Sequence, residues 1–125
     1  MKILFIVSEA FPLAKVGGLA DVVSSLAIAL HDSGHEPCLI LPKYRSIKAR
    51  FLDIQNTEVT VNCMGHDEKL ALKMTRLKEA VPVYLVENDA YFGTDEVYAR
   101  VNWSASCSSR KAYLPSFLGS IFIPT

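Results

Sequence analysis

The sequence has no carboxylate after Glu96: all thirteen acidic residues lie at or before it. Residues 97–125 carry only Arg100, Arg110 and Lys111 as charges, so ten basic against thirteen acidic groups leave the first 96 residues at −3 and the rest at +3. Taken whole, 13 basic and 13 acidic residues cancel, a balance that argues against a nucleic-acid or anionic-membrane partner. Cysteine is scarce. Cys38, Cys63 and Cys107 are odd in number and widely spaced, which excludes a disulfide framework or zinc site and fits a reducing, cytoplasmic setting. Long apolar runs are missing too. Ile3 to Val7 is too short to cross a bilayer or form a signal-peptide core, so neither export nor a membrane partner is expected. There is no internal repeat, no G-x-x-x-x-G-K-[ST] and no G-x-G-x-x-G.

What is present is a chain of 125 residues, half of them hydrophobic, enough for one packed domain. Lys2-Ile3-Leu4-Phe5-Ile6-Val7 reads as a strand buried on both faces. Ser8 to Gly18 reads as a loop, punctuated by Pro12 and Gly17-Gly18. Leu19, Val22, Val23, Leu26, Ala27 and Leu30 recur at helical spacing, with Asp21 near the positive end of the dipole and Ser33-Gly34 as the stop. Pro37 to Leu41 is a second strand, which completes a βαβ unit. Thr57–Val61 and Leu70–Met74 predict two weaker strands around a turn at Gly65–Lys69, and Val81–Val86 another buried strand. The expected class is α/β, a Rossmann-like parallel sheet with helices on both faces and a hairpin insertion.

The segment Lys15-Val16-Gly17-Gly18-Leu19-Ala20-Asp21-Val22 sits where β gives way to α, at the carboxyl end of the first strand. Ligands of open α/β sheets bind at such ends. Two glycines let backbone approach a ligand closely, the following helix offers free N–H groups to an anion, and Lys15 adds a mobile positive charge. By spacing alone the segment is a phosphate-binding candidate, set against a plain Gly-Gly turn with a solvated lysine.

The same segment resembles the K-x-G-G-L-x-D-V signature near the start of bacterial glycogen synthases and plant starch synthases. Ser8-Glu9-Ala10-Phe11-Pro12 resembles that family's S-E-x-x-P stretch, and Ser33-Gly34-His35 and Leu41-Pro42-Lys43-Tyr44 its G-H and L-P-x-Y stretches. Tyr91-Phe92-Gly93 followed by Val97-Tyr98 is similar to a further family segment. The resemblance covers residues 1–98. It implies part of the N-terminal domain of a GT-B glycosyltransferase that moves glucose from ADP-glucose to the non-reducing end of an α-1,4-glucan, with retention and without a cofactor. By the same resemblance Lys15, Gly17, Gly18 and Asp21 are substrate-binding residues. No catalytic residue and no metal ligand is expected in this stretch. Most donor contacts of the family, including those that distinguish ADP- from UDP-glucose, lie in a second domain with no counterpart here, so the polypeptide alone is expected to be inactive. A cytoplasmic location follows, or a plastid stroma for a plant chain.

Residues 99–125 depart from the family. There the pattern E-R-F-x-F-F-S-[KR] is expected, and Val101 to Lys111 reads V-N-W-S-A-S-C-S-S-R-K. Codons TGG AGC GCT TCT for Trp103 to Ser106, read from the third base, give E-R-F, and the same shift allows L-F-F-S-K beyond. We therefore expect a divergent tail, out of frame or disordered, whose Trp103 and Phe117–Ile123 are an aggregation hazard.

Of the remaining residues, Glu9 reads as a solvated loop carboxylate rather than an acceptor-sugar contact. His31, His35 and His66 lack metal-ligand spacing. Cys38 reads as a small core residue, and Tyr44 as a core aromatic before a glucan contact. Two other classes stay open at this level: a stand-alone flavodoxin-like nucleotide-binding module, and a truncated gene product without function.

Overall fold

The computed structural model describes residues 1–48, 56–63, 65–88, 92 and 97. The expected tail at 99–125, with Trp103 and Phe117–Ile123, lies outside them. So do Tyr91 and Gly93.

The elements run β1 (Lys2–Ile6), α1 (Gly18–Asp32), β2 (Glu36–Pro42), β3 (Asn56–Cys63), β4 (His66–Leu77) and β5 (Val81–Glu87). They form one five-stranded sheet in the order β1-β2-β5-β4-β3. β1, β2 and β5 are parallel, with Leu4 opposite Cys38 and Leu41 opposite Leu85. β4 runs antiparallel to both β5 and β3. The α/β class and the hairpin agree with expectation. The hairpin strands, however, extend the same sheet and make it mixed. Among the described residues α1 is the one full helix, packed on one face, where helices on both were expected.

The alternation of strand side chains splits the core in two. Leu39, Leu41, Val81, Val83 and Leu85 point to the face covered by α1. Ile40, Val61, Leu70, Leu72 and Val86 point to the opposite face, where Phe92 joins them. β2 and β5 have neighbours on both sides and are the most deeply buried strands.

Two expectations need correction. β1 is an edge strand of the described sheet, paired only with β2, and its burial alternates instead of being complete. Phe5 packs toward α1, but Leu4 is 49% exposed and Ile6 is also exposed. The helix, too, uses a different stripe from the one its large residues suggested. Ala20, Val23, Ser24 and Ala27 are buried, whereas Leu19, Val22 and Leu26 face outward. Small side chains at positions 20, 24 and 27 let the helix lie close to the sheet, and close approach is what small residues permit at a packed interface.

Candidate functional site at the β1–α1 loop

Parallel strands β1, β2 and β5 all end on the same edge of the sheet, and the loop from Val7 to Gly17 lies along it. This loop is a built structure. Ala10 and Ala14 form an isolated bridge, exchanging backbone hydrogen bonds of 2.9 Å each way. Ala10, Leu13 and Ala14 are buried in the core beneath α1. The Phe11 N–H donates to the Ala20 carbonyl at 3.2 Å, and the Ser24 hydroxyl donates to the Phe11 carbonyl at 2.7 Å. From the β2 side, the Tyr44 hydroxyl donates to the Ser8 carbonyl at 3.0 Å. Tyr44 is buried, in line with the packing expected of it.

Glu9 corrects the sequence reading. Its side chain is 2% exposed, and among the described residues it is the single buried charged group. The carboxylate accepts the Val16 N–H at 2.8 Å and, in a longer contact, the Gly17 N–H at 3.4 Å. Taking a carboxylate out of water costs several kcal/mol unless donors replace the lost hydration, and these two amides are such donors. The carboxylate expected to be solvated is instead a buried acceptor for the loop's backbone.

Lys15 follows buried Ala14 and stands half out of the surface, 46% exposed. Its Nζ lies 2.7 Å from Asp21 Oδ2 and 5.6 Å from the centre of the Phe11 ring. An ion pair this exposed contributes little to stability, ~0–1 kcal/mol, so it leaves the ammonium free to change partners. Gly17 is the N-cap of α1, in an extended conformation with φ −144°, and no side chain caps the helix. A Cβ placed on Gly17 or Gly18 would meet no atom within 4 Å. The fold itself therefore demands a glycine at neither position. The space their hydrogens leave open faces outward.

An open groove of about 630 Å³ starts at this loop and runs along α1, lined by Phe11, Asp21, Ser24, Ile28, Asp32 and Lys78 among others. Lys15 does not line it, but its partner Asp21 does. The loop thus gathers Lys15, Gly17, Gly18 and Asp21 at one end of the helix. His31 and His35 lie at its other end, His31 against Asp32 at 3.6 Å and His35 against the N-terminal amine at 3.5 Å. Among the described residues no group of three or more His, Cys, Asp or Glu could hold a metal ion. Cys38 is a free thiol, half-buried, and burial raises its pKa.

A family model described as the starch synthase catalytic domain matches residues 2–113. The chain belongs to this family. Glycogen synthase of Geotalea daltonii is 41% identical over 99 residues, covering 78% of the chain and 20% of that protein. Glycogen synthase of Hydrogenobaculum sp. is 43% identical over 98 residues with the same coverage. Among solved structures, the catalytic domain of starch synthase IV from Arabidopsis thaliana, bound to ADP and acarbose, superposes with a TM-score of 0.70 at 28% identity. That match covers 79% of this chain and 21% of the other. The chain thus spans about a fifth of the length of the starch and glycogen synthases it matches. No described helix is long and apolar enough to cross a membrane.

Proposed function

We propose that this chain supplies the first donor-binding loop of a retaining glucosyltransferase, which moves glucose from ADP-glucose to the non-reducing end of an α-1,4-glucan such as glycogen or starch. Lys15, Gly17, Gly18 and Asp21 are its substrate-binding residues, and the catalytic groups that complete the cleft lie elsewhere in a family member. The observation that carries this reading is the loop itself: a half-exposed ammonium beside two outward-facing positions without a Cβ, at the carboxyl edge of a parallel sheet.

The chemistry follows from charge. Breaking the bond from the sugar's anomeric carbon to phosphate leaves a diphosphate with growing negative charge and a sugar with oxocarbenium character. A cation already placed at the phosphate stabilises that charge without reorganisation when the bond breaks. Lys15 supplies this by exchanging Asp21 for a phosphate oxygen. Asp21 meanwhile keeps the ammonium aimed before substrate arrives, and its carboxylate is then free to accept a sugar hydroxyl. The missing Cβ atoms at positions 17 and 18 let backbone and sugar phosphate approach within contact distance. A cytoplasmic site of action fits the free Cys38 thiol.

Calorimetric titration tests the reading. ADP-glucose is expected to bind the parent chain and to lose about tenfold in affinity in Lys15→Ala, the scale of one charge-assisted hydrogen bond. Equal binding by parent and variant would refute the role of Lys15. In a transfer assay with ADP-glucose and glycogen, the chain alone is expected to stay at background.

A further inference from the structure

The geometry points to Glu9 as the positioning residue of the donor loop: its buried carboxylate holds the Val16 and Gly17 amides inward and so fixes where Lys15 and the start of α1 stand. This rests on the reading of the loop as a diphosphate-sugar site and deepens it. Three observations support it. Glu9 is the single buried charged side chain among the described residues, and no cation is placed against it to offset its burial. Its Oε2 accepts from both residues between Lys15 and the helix. The stretch on either side is independently anchored, through the Ala10–Ala14 bridge and through Ser24 to Phe11, so the carboxylate governs a short remaining span.

A specific consequence follows for the ligand. An N–H that donates to Glu9 does not also face an anion. The Val16 and Gly17 amides are therefore withdrawn from the phosphate, and the donors left for it are the Lys15 ammonium and the N–H groups of the first turn of α1, which no N-cap side chain occupies. Gly17 serves by lacking a Cβ, not by offering its amide.

The test uses the ¹⁵N-labelled 125-residue chain with Glu9→Ala and Glu9→Gln. In Glu9→Ala, amide exchange at Val16 and Gly17 is expected to accelerate about tenfold or more, the effect of a lost charge-assisted hydrogen bond, while Leu39 and Leu85 keep their protection. Glu9→Gln retains an acceptor oxygen and should restore part of it. The readout that a merely structural role would not move is the ¹³C-dimethyl signal of Lys15. It should stand apart from that of exposed Lys2 in the parent because of Asp21, merge with it in Glu9→Ala, and separate again in Glu9→Gln. ADP-glucose affinity should fall about tenfold in Glu9→Ala and partly return in Glu9→Gln. Unchanged exchange at Val16 and Gly17, or an unchanged Lys15 signal with unchanged affinity, overturns the proposal. If Leu39 and Leu85 also lose protection in Glu9→Ala, the near-isosteric Glu9→Gln decides alone: partial loss at Val16 and Gly17 supports the clamp and none refutes it. A parent chain that fails to bind ADP-glucose while the amide and lysine signals respond as stated removes the substrate reading and leaves the clamp standing.

Discussion

The first 26 residues and the segment from β2 to β5 divide the work of the molecule. Among the described residues, the exposed large hydrophobic side chains lie in the first region: Met1, Leu4, Ile6, Phe11, Val16, Leu19, Val22 and Leu26. The second region holds the fully buried Leu39, Ile40, Leu41, Val81, Val83, Leu85 and Val86, with partners on both faces. The proposed binding residues sit in the first region too. Folding stability thus resides mainly in β2 and β5, and the proposed donor loop follows β1, an edge strand of the described sheet.

The contrast is broken most sharply by core truncation. Leu85→Ala removes a completely buried side chain from the central strand and is expected to cost about 2–5 kcal/mol. Leu4→Ala on β1 is expected to cost under about 1 kcal/mol, because half of that side chain is already in water. Urea unfolding followed by circular dichroism compares the two. Equal losses would place β1 inside the core and dissolve the distinction.

Next in size is the strap between loop and helix. Ser24→Ala leaves the Phe11 carbonyl without its 2.7 Å donor and is expected to cost about 1 kcal/mol. It should also speed exchange of the Phe11 amide, whose acceptor is Ala20. Amide exchange checks both.

Smaller still in stability, though not in behaviour, is the outer stripe of α1. Leu26→Lys and Val22→Lys change exposed positions and should move stability by no more than about 0.5 kcal/mol. With less apolar surface in water, light scattering on concentration should be no higher than the parent's, and higher scattering would contradict this. Smallest of all is Lys15→Ala, which breaks an ion pair exposed at both ends. Its unfolding midpoint should match the parent's within error, so any loss of ligand binding is a binding effect.

Much of this fold was legible from pattern. The βαβ unit, the hairpin and the strand entered through Pro82 follow from apolar runs and their punctuation. The misreadings share a cause: a residue's type says little about who its neighbours are. Ile3 to Val7 looks like a central strand because all its side chains are apolar, yet burial depends on partners, and β1 has one. In α1, Leu19, Val22 and Leu26 outweighed Ala20 and Ser24 in a periodicity argument, although the small residues make the contact. The hairpin strands run longer than expected because Asp67, Glu68 and Lys69 on β4 resemble a turn, whereas they lie in a paired strand. A further charge on that strand is part of the sheet surface, Lys73 meeting Glu87 at 2.7 Å. At the site, the motif brought out Lys15, Gly17, Gly18 and Asp21, and the structure brings them to one helix end. The S-E-x-x-P stretch contains Glu9 but not its role, because its partners are backbone amides seven and eight residues away, and no motif marks Ser24, whose partner is a carbonyl thirteen residues back.

The most direct test of the central claim is a chemical-shift map of the ¹⁵N-labelled chain titrated with ADP-glucose. Perturbations are expected to concentrate at Lys15 to Asp21, with the β3–β4 hairpin silent. A map that spares Lys15–Asp21, or that centres on the hairpin or on the far end of α1 near His31, would contradict it.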